Sequence, residues 1–482
     1  MTNKVAVIGL DGAAPQLVFE RWRDELPNLA ALMQRGVWGE LRSCHPPITV
    51  PAWASMLSSK DPGQLGVYGF RNRRGYAYDD YAFANSMLEH PLVWDLLSRA
   101  GKQSILLGVP QTYPPPRING WVVSCFLTPS RACAYTHPPG LKAEVEAVAP
   151  GYVFDVEDFR TPDKRGLLQR IYDKTRKHFR VAKYLLTTKP WDFFVMVEMG
   201  TDRIQHGFWK YFDPTHPKYE PGNEFADAIR DYYRYVDSEV GEVLACIDPD
   251  ALVLVVSDHG AKKLDGGICF NEWLIRNGYL QLTTSPEKAT PLSPKLIDWG
   301  ATRAWGSGGY CGRLSLNVRG REPQGIVEAR DYEGLRDELI AAIAAIEDPN
   351  GRNIGSRAFR PEELYRDTTG VPPDLIVYFG DLNWRAVGSV GVGSIYSFEN
   401  DTGPDDANHD WNGIFIMQDG QRGDGGVRLE GLQLTDVAPT ILRAFGLPIP
   451  ADMLGTVIDA HRDYSAEGED GVRRRLEDLG YI

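Results

Sequence analysis

An aspartate and a histidine stand side by side where a strongly apolar run of the chain ends. The apolar residues at 252–256 are too few for a helix and rich in valine, which predicts a strand buried on both faces. Ser257-Asp258-His259-Gly260 follows directly, and open α/β sheets bind ligands at the carboxyl ends of such strands. Gly260 permits the sharp turn that lets adjacent side chains reach one metal ion. A strand end with a solvated Asp and His is the alternative, so the pair needs partners elsewhere in the chain.

Three other places in the chain carry side chains of the same kinds. Asp11 follows the first apolar run, and His409 stands shortly before the last of the strongly apolar runs. Asp202 and His206 are four residues apart after another such run, so one helical turn would place both on one face. An N-cap aspartate and a surface histidine would explain that pair equally well. Each of these signals is weak when taken alone.

A threonine hydroxyl stands where a helix is predicted to begin. Three prolines in the segment 46–51 make the approach rigid and extended. Thr49-Val50-Pro51 is typical of an N-cap residue followed by a proline inside the first turn, so Thr49 is predicted to be the N-cap. Capping alone would account for this hydroxyl. At a helix N-terminus it would also lie where backbone N–H groups stabilise a phosphoryl group.

Together these positions contribute three carboxylates, three imidazoles and one hydroxyl. Such a set could hold two zinc-class ions, each with three protein ligands and with positions left open for a substrate. Imidazole together with carboxylate favours Zn, Mn or Fe over Mg or Ca, which prefer oxygen ligands. The candidate ligands are Asp11, Asp202, His206, Asp258, His259 and His409.

Buried strands and helices alternate around these candidate ligands. This rhythm predicts an α/β fold with a mostly parallel central sheet, helices on both of its faces and a smaller inserted cap. We predict a main unit from residues 1–260 and 373–460, a cap at 261–372 and a C-terminal tail helix at 461–482.

Two segments lack clear periodicity. Residues 110–160 are rich in proline and aromatic side chains, which predicts long loops or a small inserted element. Residues 389–410 are rich in Gly, Asp and Asn and are predicted to form a long loop that carries His409.

Composition narrows the classes of function. The chain has 482 residues and a net charge of −13, which argues against a nucleic-acid polymer as partner. Its N-terminus lacks the pattern of a signal peptide, and no apolar run approaches membrane-spanning length. The six scattered cysteines are then expected to be reduced thiols of a cytoplasmic protein. The predicted tail helix would dock on the surface or on a neighbouring subunit, which leaves a homo-oligomer open.

The motifs resemble those of the alkaline phosphatase superfamily, on its nucleotide pyrophosphatase/phosphodiesterase (type I phosphodiesterase) side. Late in the chain, residues 374–409 are also similar to a group of predicted phosphohydrolases and phosphomutases of that superfamily, which implies no substrate. The resemblance is carried, in chain order, by Ile8-Gly9-Leu10-Asp11-Gly12, Pro47-Ile48-Thr49-Val50-Pro51, Asp202-Arg203-Ile204-Gln205-His206, Ser257-Asp258-His259-Gly260 and His409.

The resemblance implies an alkaline-phosphatase-like fold with two divalent ions, Zn first and Mn as the alternative. It implies that one ion is held by Asp202, His206 and His409, and the other by Asp11, Asp258 and His259. Thr49 would bridge toward the second ion and attack phosphorus, which gives a phosphothreonine intermediate.

The resemblance also suggests residues for substrate binding. Relatives that cleave nucleotide diesters contact a phosphate oxygen through an asparagine after the nucleophile helix, which makes Asn72 and Arg71 candidates. Arg73 or Arg74 could serve instead. The aromatic residues Trp305, Tyr310 and Trp384 could stack on a base or sugar, although packing in the core or in loops is the favoured interpretation.

The leading hypothesis is a hydrolase that cleaves a phosphodiester or pyrophosphate bond of a small phosphorylated substrate. A phosphomonoesterase or phosphomutase of the same superfamily is the alternative, and a catalytically inactive binding or scaffold relative is the hypothesis from another class. Sulfate-ester hydrolysis is disfavoured, because Cys44-His45-Pro46-Pro47-Ile48 lacks the arginine of the sulfatase motif.

Overall fold

The computed structural model describes residues 4–83, 88–420 and 425–459. The predicted tail helix at 461–482 lies outside the described residues. In the part of the chain that is described, none of the helices is both long and apolar enough to cross a membrane.

The helices range from single turns to one long helix of 25 residues. In chain order they are α1 Pro27–Arg35, α2 Thr49–Ser58, α3 Pro62–Leu65, α4 Val93–Arg99, α5 Leu141–Val148, α6 Lys164–Thr188, α7 Gly200–Phe212, α8 Ala228–Leu244, α9 Phe270–Arg276, α10 Tyr332–Ala344, α11 Pro361–Leu364 and α12 Val437–Ala444.

The strands belong to one large sheet and several small ones, and most of them are short. In chain order they are β1 Val5–Leu10, β2 Val37–Arg42, β3 Arg71–Arg73, β4 Tyr81–Phe83, β5 Ser104–Leu107, β6 Gly120–Val123, β7 Thr136–His137, β8 Phe193–Glu198, β9 Leu252–Val256, β10 Gly260–Lys263, β11 Gly266–Cys269, β12 Thr290–Pro291, β13 Ala304–Ser307, β14 Gly312–Leu316, β15 Arg357–Phe359, β16 Leu375–Tyr378, β17 Trp384–Val387, β18 Ser389–Val390, β19 Tyr396–Ser397, β20 Ala407–Asp410, β21 Asn412–Asp419, β22 Val427–Arg428 and β23 Leu432–Gln433.

The central sheet has the strand order β22-β2-β21-β9-β1-β8-β5-β6-β7, with β23 paired to β2. Strands β9, β1, β8, β5 and β6 are parallel, so their carboxyl ends meet at one edge. Strand β21 runs antiparallel between β2 and β9. The predicted mostly parallel central sheet is therefore confirmed.

Alternate residues of the central strands feed two separate hydrophobic cores. In β1, Ala6 and Ile8 point into the core formed with α1, α6, α7 and α8, and Val5 and Val7 into the core formed with α2, α4 and α12. Burial of both faces explains why these strands are continuous apolar runs rather than alternating ones. The helices on both faces were also predicted.

The smaller cap has its own sheet, β13-β14-β16-β15, and its own hydrophobic core with α9 and α10. Strand β16, at 375–378, pairs with β14 and β15 in this sheet, although its sequence was assigned to the main unit. The chain rejoins the central sheet only at β21. A short apolar run does not reveal which of two sheets it completes. The division into domains stays a prediction.

The two segments without periodicity contain more regular structure than predicted. Within 110–160, β6 and β7 extend the central sheet and α5 packs on α6. Within 389–410, β18, β19 and β20 are short strands, and His409 lies inside β20 rather than in a loop. Strands of two to four residues are too short to produce a recognisable alternation.

Candidate active site

Four segments bring the candidate metal ligands to the carboxyl edge of the central sheet. Asp11 follows β1, and Asp258 with His259 follows the adjacent strand β9. Helix α7 begins just after β8 and holds Asp202 and His206 on one face. Ligands of open parallel sheets bind at this edge.

The late histidine reaches this edge through a short antiparallel ladder. Strand β20 pairs with β10, the strand that begins immediately after His259. The ladder puts His409 opposite Ala261, so the ring of His409 stacks on the ring of His259 with centroids 3.7 Å apart. His409, which is 150 residues further along the chain than His259, is thus fixed against the Asp258-His259 pair.

One cluster consists of Asp202, His206 and His409. The Oδ1 atom of Asp202 lies 3.1 Å from Nε2 of His206 and 3.7 Å from Nε2 of His409. Each of the three residues is at most 2 % exposed.

The other cluster consists of Asp11, Asp258 and His259. Nε2 of His259 lies 3.3 Å from Oδ2 of Asp258 and 3.8 Å from Oδ1 of Asp11. The Oγ1 atom of Thr49 lies 3.4 Å from the same Nε2 atom. In both clusters the potential ligand atoms lie within 4.8 Å of one another.

All three histidines turn one ring nitrogen outward to a fixed acceptor. Nδ1 of His259 donates to the carbonyl oxygen of Gly260 at 2.9 Å, and Nδ1 of His409 donates to that of Pro47 at 2.7 Å. Nδ1 of His206 donates to Oδ1 of Asp405 at 2.6 Å. This arrangement leaves Nε2 as the lone-pair nitrogen that faces each cluster, which is the form in which imidazole binds a metal.

Unpartnered polar atoms show that the clusters fit metal ions. Oδ1 of Asp11, Oδ2 of Asp258 and Nε2 of His409 are buried and have no hydrogen-bond partner. Buried polar atoms are rarely left unpaired, and these three face the two cluster centres. Two divalent cations would satisfy all three atoms, and a donor set of imidazole and carboxylate suits zinc-class ions.

The carboxylates of the clusters are buried close to one another. Burial raises the pKa of Asp11 and of Asp258 well above the usual range, and nearby carboxylates raise both further. Burial also opposes ionisation of Asp202, but a protonated His206 together with Arg203 and His409 outweighs burial, so the pKa of Asp202 is well below its usual range. Cations in the clusters would stabilise the ionised form of all three carboxylates.

A shell of residues that sequence analysis missed holds these ligands. Oδ2 of Asp405 accepts hydrogen bonds from Nε of Arg160 and Nη1 of Arg385, each at 3.0 Å, while Oδ1 of Asp405 holds His206. The acidic pair just upstream of His409 was the signal that could have pointed to Asp405. No comparable pattern in the sequence marks the two arginines.

Two aromatic side chains also contact the clusters. Nε1 of Trp53, in α2, donates to Oδ2 of Asp11 at 2.8 Å. The ring of Tyr310 stacks on His409 with centroids 3.8 Å apart. Of the aromatic candidates from the sequence, Tyr310 thus lies at the clusters, whereas Trp384 packs against Tyr396.

Thr49 differs slightly from its predicted place in the helix. Ile48 occupies the N-cap position, and Thr49 is the first residue of α2 and forms no capping hydrogen bond. The side chain is 3 % exposed and faces His259. The preference of threonine for N-caps, used in the prediction, is overridden because the hydroxyl contacts the cluster instead.

The predicted substrate-binding residues have separate environments. The amide of Asn72 is buried and closes its own turn, since Oδ1 accepts from the Tyr68 backbone and Nδ2 donates to the Gly69 carbonyl. Arg73 is paired with Glu322 and Arg74 with Asp80. Arg71 is exposed and lines a cavity in front of the cap.

A sequence profile matches most of the chain. It describes type I phosphodiesterase / nucleotide pyrophosphatase and matches residues 5–405. No curated protein sequence matches the chain.

Solved structures share the fold at low sequence identity. Human ectonucleotide pyrophosphatase / phosphodiesterase 5 has a TM-score of 0.55 and 12 % identity, over 93 % of this chain and 96 % of its own. An inactive threonine-to-alanine variant of the murine protein, in complex with AMP, has a TM-score of 0.54 and 13 % identity, with the same coverages of 93 % and 96 %. Phosphonoacetate hydrolase from Sinorhizobium meliloti, in complex with phosphonoformate, has a TM-score of 0.57 and 16 % identity, over 91 % and 94 % of the two chains.

Proposed function

The chain belongs to the type I phosphodiesterase / nucleotide pyrophosphatase family, and from this membership we propose a two-metal hydrolase that forms a phosphothreonine on Thr49. Members of this family hydrolyse phosphoric ester bonds, and the resemblance predicted from the motifs is confirmed at family level. The proposed substrate is a small phosphodiester or pyrophosphate.

The contact that carries the proposal is that of Thr49 with the second cluster. Its hydroxyl is buried at the first residue of α2, 3.4 Å from the metal-facing nitrogen of His259. A hydroxyl in this position can attack a phosphoryl group that is bound in front of it, and the N-terminus of α2 favours the negative charge there. The inactive threonine-to-alanine variant of the murine relative supports a threonine nucleophile.

The proposed reaction has two steps, and Thr49 takes part in both. Two divalent cations, when bound by the clusters, lower the pKa of a coordinated hydroxyl and neutralise charge on phosphoryl oxygens. Oγ1 of Thr49 would lose its proton to solvent and form a bond to phosphorus, while the leaving oxygen departs with the electron pair of the broken bond and takes up a proton from solvent. Water then attacks the phosphothreonine, which releases the phosphorylated product and regenerates the Thr49 hydroxyl.

The donor sets support zinc as the metal at both clusters, with manganese as the alternative. One site would use Asp202, His206 and His409, and the other Asp11, Asp258 and His259. All six cysteines are free, which supports a reducing, cytoplasmic location.

Replacement of the nucleophile tests the proposal directly. We expect Thr49→Ala to lower turnover of bis-p-nitrophenyl phosphate by about a thousandfold or more, because the substitution removes the proposed nucleophile. Metal content, measured by plasma mass spectrometry, should stay at about two ions per chain, because the six Asp and His ligands remain. Thr49→Ser is the matched control and should retain measurable turnover.

Three results would contradict the proposal in different ways. Full turnover by Thr49→Ala would remove Thr49 from the mechanism. A wild-type chain purified without chelator that binds less than about one metal ion would favour an inactive binding relative. Faster hydrolysis of p-nitrophenyl phosphate than of the diester would favour the phosphomonoesterase alternative.

A further inference from the structure

A cavity of about 500 Å³ lies between the β3–β4 hairpin and the cap. Three arginines line it: Arg71 from β3, Arg313 from β14 and Arg385 from β17. Its two aspartates, Asp79 and Asp401, are both exposed to solvent. The wall of the cavity is therefore basic, and its carboxylates are hydrated at the rim.

Two of these guanidinium groups have no carboxylate partner among the described residues. Nη1 of Arg313 donates to the carbonyl oxygen of Arg71 at 2.6 Å, and the guanidinium of Arg71 lies 4.3 Å from the ring centroid of Tyr81. Burial lowers the pKa of Arg313, and the neighbouring charge of Arg71 lowers it further. Two close positive charges without a counter-ion are a site for an anion.

Neighbouring arginines that do not line this cavity contrast with these two. Arg73 is paired with Glu322 at 3.3 Å, and Arg321 with Asp374 at 2.7 Å. The protein thus neutralises the arginines that stabilise the cap and leaves the charges of Arg71 and Arg313 unpaired.

The third arginine links the cavity to the candidate active site. Arg385 is 6 % exposed, and its Nε atom is buried without a hydrogen-bond partner. Its Nη1 atom donates to Asp405, which in turn holds His206. One side chain therefore contributes to the cavity wall and to the hydrogen bonds around the first metal cluster.

A second connection runs through the backbone of the cap. Gly309, which lines the cavity, exchanges two hydrogen bonds with Ala386, at 2.8 Å and 3.0 Å. The next residue, Tyr310, stacks on His409. The lining of the cavity is therefore adjacent in the chain to a residue that contacts the clusters.

We propose that this cavity binds a second anionic group of the substrate, a carboxylate or phosphate, through Arg71 and Arg313. The inference rests on the proposed function: the substrate is a phosphodiester or pyrophosphate in which a part remote from the reacting phosphorus is itself anionic. Tyr78 and Trp299, whose rings stack at 3.5 Å, form an apolar part of the same cavity wall.

The test compares matched pairs of p-nitrophenyl diesters. One member of each pair carries a terminal carboxylate on its alkyl group and the other ends in a methyl group, and the series increases in alkyl length. At the best length we expect kcat/KM to be about tenfold or more higher for the carboxylate, as is typical of a charge-assisted contact to arginine.

Substitutions assign the preference to the cavity. Arg313→Met should reduce the carboxylate preference to about one while leaving hydrolysis of the uncharged esters within about twofold. Arg71→Gln, at an exposed position, is a second variant that does not depend on correct packing of Arg313. Arg74→Met is the matched control, because this exposed hairpin arginine pairs with Asp80 and should keep the full preference.

The outcomes separate this proposal from the proposed function. The proposed anion site would be wrong if kcat/KM were equal for the two esters of each pair at every alkyl length. It would also be wrong if both Arg313→Met and Arg71→Gln kept the preference for the carboxylate. Neither result would contradict the proposed hydrolase function. If free butyrate instead accelerates hydrolysis of the uncharged esters, the cavity binds a separate anionic effector, and the proposal that the anion is part of the substrate is wrong.

If the wild type hydrolyses no ester, the proposed function is wrong and the site is judged by binding alone. Calorimetric titration of the wild type with the carboxylate and methyl esters should then show about tenfold tighter binding of the carboxylate. The same affinity for both esters would overturn the proposal.

Discussion

At the scale of single residues, the candidate site depends on how its histidines are held. Each ring donates from Nδ1 to an acceptor that is itself fixed, and for His259 and His409 that acceptor is a backbone carbonyl. His206 alone depends on a side chain, Asp405. Asp405 is therefore the outer residue whose loss would affect a metal ligand most directly.

We expect Asp405→Asn to weaken metal binding at the first cluster by about ten- to a hundredfold, as the loss of a carboxylate that holds a metal-binding histidine does. The amide still fills the space, but it carries no charge to hold the His206 ring and to balance Arg160 and Arg385. Competition with a chromophoric chelator measures the affinity. Asp452→Asn, which removes a surface carboxylate paired with Lys60, is the control.

An unchanged affinity in Asp405→Asn would contradict this role. A second readout is the stoichiometry, because loss of one ion of two would assign the effect to one cluster. A purely structural role would lower stability without changing the affinity.

The sequence predicts the site residues that directly follow buried strands. It does not predict the site residues whose contacts form only in the folded protein, between distant parts of the chain. Asp11, Asp258 and His259 are recognisable because each follows a buried apolar strand that marks the sheet edge. Asp405 is marked only by its place in an acidic pair, and Tyr310 was a candidate only for stacking on a base or sugar, because their contacts with His206 and His409 join distant parts of the chain. Asn72 was a candidate by its position, but its amide closes its own turn.

At the scale of elements, strand β21 fixes the segment that carries Asp258 and His259. Gly413 of β21 packs against Ser257, the residue just before the pair, whose Oγ donates to the carbonyl oxygens of Ala13 and His259. A Cβ at position 413 would lie 2.5 Å from the Ser257 carbonyl oxygen. Close approach of the backbone therefore requires glycine here.

We expect Gly413→Ala to lower the free energy of unfolding by about 2 kcal/mol, because the backbone of two adjacent strands must separate. Urea denaturation followed by tryptophan fluorescence measures the change. Gly334→Ala is the control: a Cβ added to this helical glycine in α10 would meet no atom within 4 Å, and the substitution should stabilise by up to about 1 kcal/mol. Equal stability of the two variants would contradict the close packing at Gly413.

The loop after α7 contains a histidine that is buried in its neutral form. Nδ1 of His216 accepts from the Lys218 backbone at 3.0 Å, and Nε2 donates to the Asp406 carbonyl at 3.1 Å. Burial lowers the pKa of His216 to about 4, below its usual 6.5. The unfolded chain therefore binds a proton at a higher pH than the folded chain does.

This difference predicts a loss of stability in acid. Because the folded pKa is depressed, the contribution of His216 is complete above about pH 6.5 and is lost as the pH falls toward 4. Between neutral pH and about pH 4, we expect the free energy of unfolding to fall by about 2 kcal/mol less in His216→Gln than in the wild type. Urea denaturation at the two ends of the range measures it, and equal losses would contradict the assignment.

At the scale of elements, the long features were predictable and the short ones were not. The buried runs of β1, β8 and β9 and the helices α6 and α8 extend over enough residues to show their periodicity. The two-residue strands of the cap show none. Whether β16 joins the cap sheet or the central sheet depends on partners far along the chain, which its own four residues do not reveal.

At the scale of the whole molecule, the two clusters join parts of the chain that are far apart in sequence. Their ligands come from positions 11 to 409, and the clusters bring three buried carboxylates close together. Without cations, burial and mutual repulsion oppose the ionisation of Asp11 and Asp258. Metal binding should therefore contribute to global stability.

We expect dialysis against a chelator to lower the thermal midpoint, and added zinc to restore it. A site saturated at a hundred times its dissociation constant adds about 2.7 kcal/mol to the stability of the folded state. Circular dichroism melting curves measure the shift, with magnesium as the control because it prefers oxygen ligands. A midpoint that is the same with and without chelator would contradict metal binding at these clusters.

Strand β21 has a consequence for the order in which the protein can be made. It lies between β2 and β9, although β2 is complete by residue 42 and β21 only by residue 419. During synthesis from the N-terminus, β2 cannot pair with β21, and β9 presents an open edge, until the residues of β21 up to 419 have been added. A nascent chain that stops short of β21 is therefore expected to leave the buried apolar residues of β2 without their partner strand.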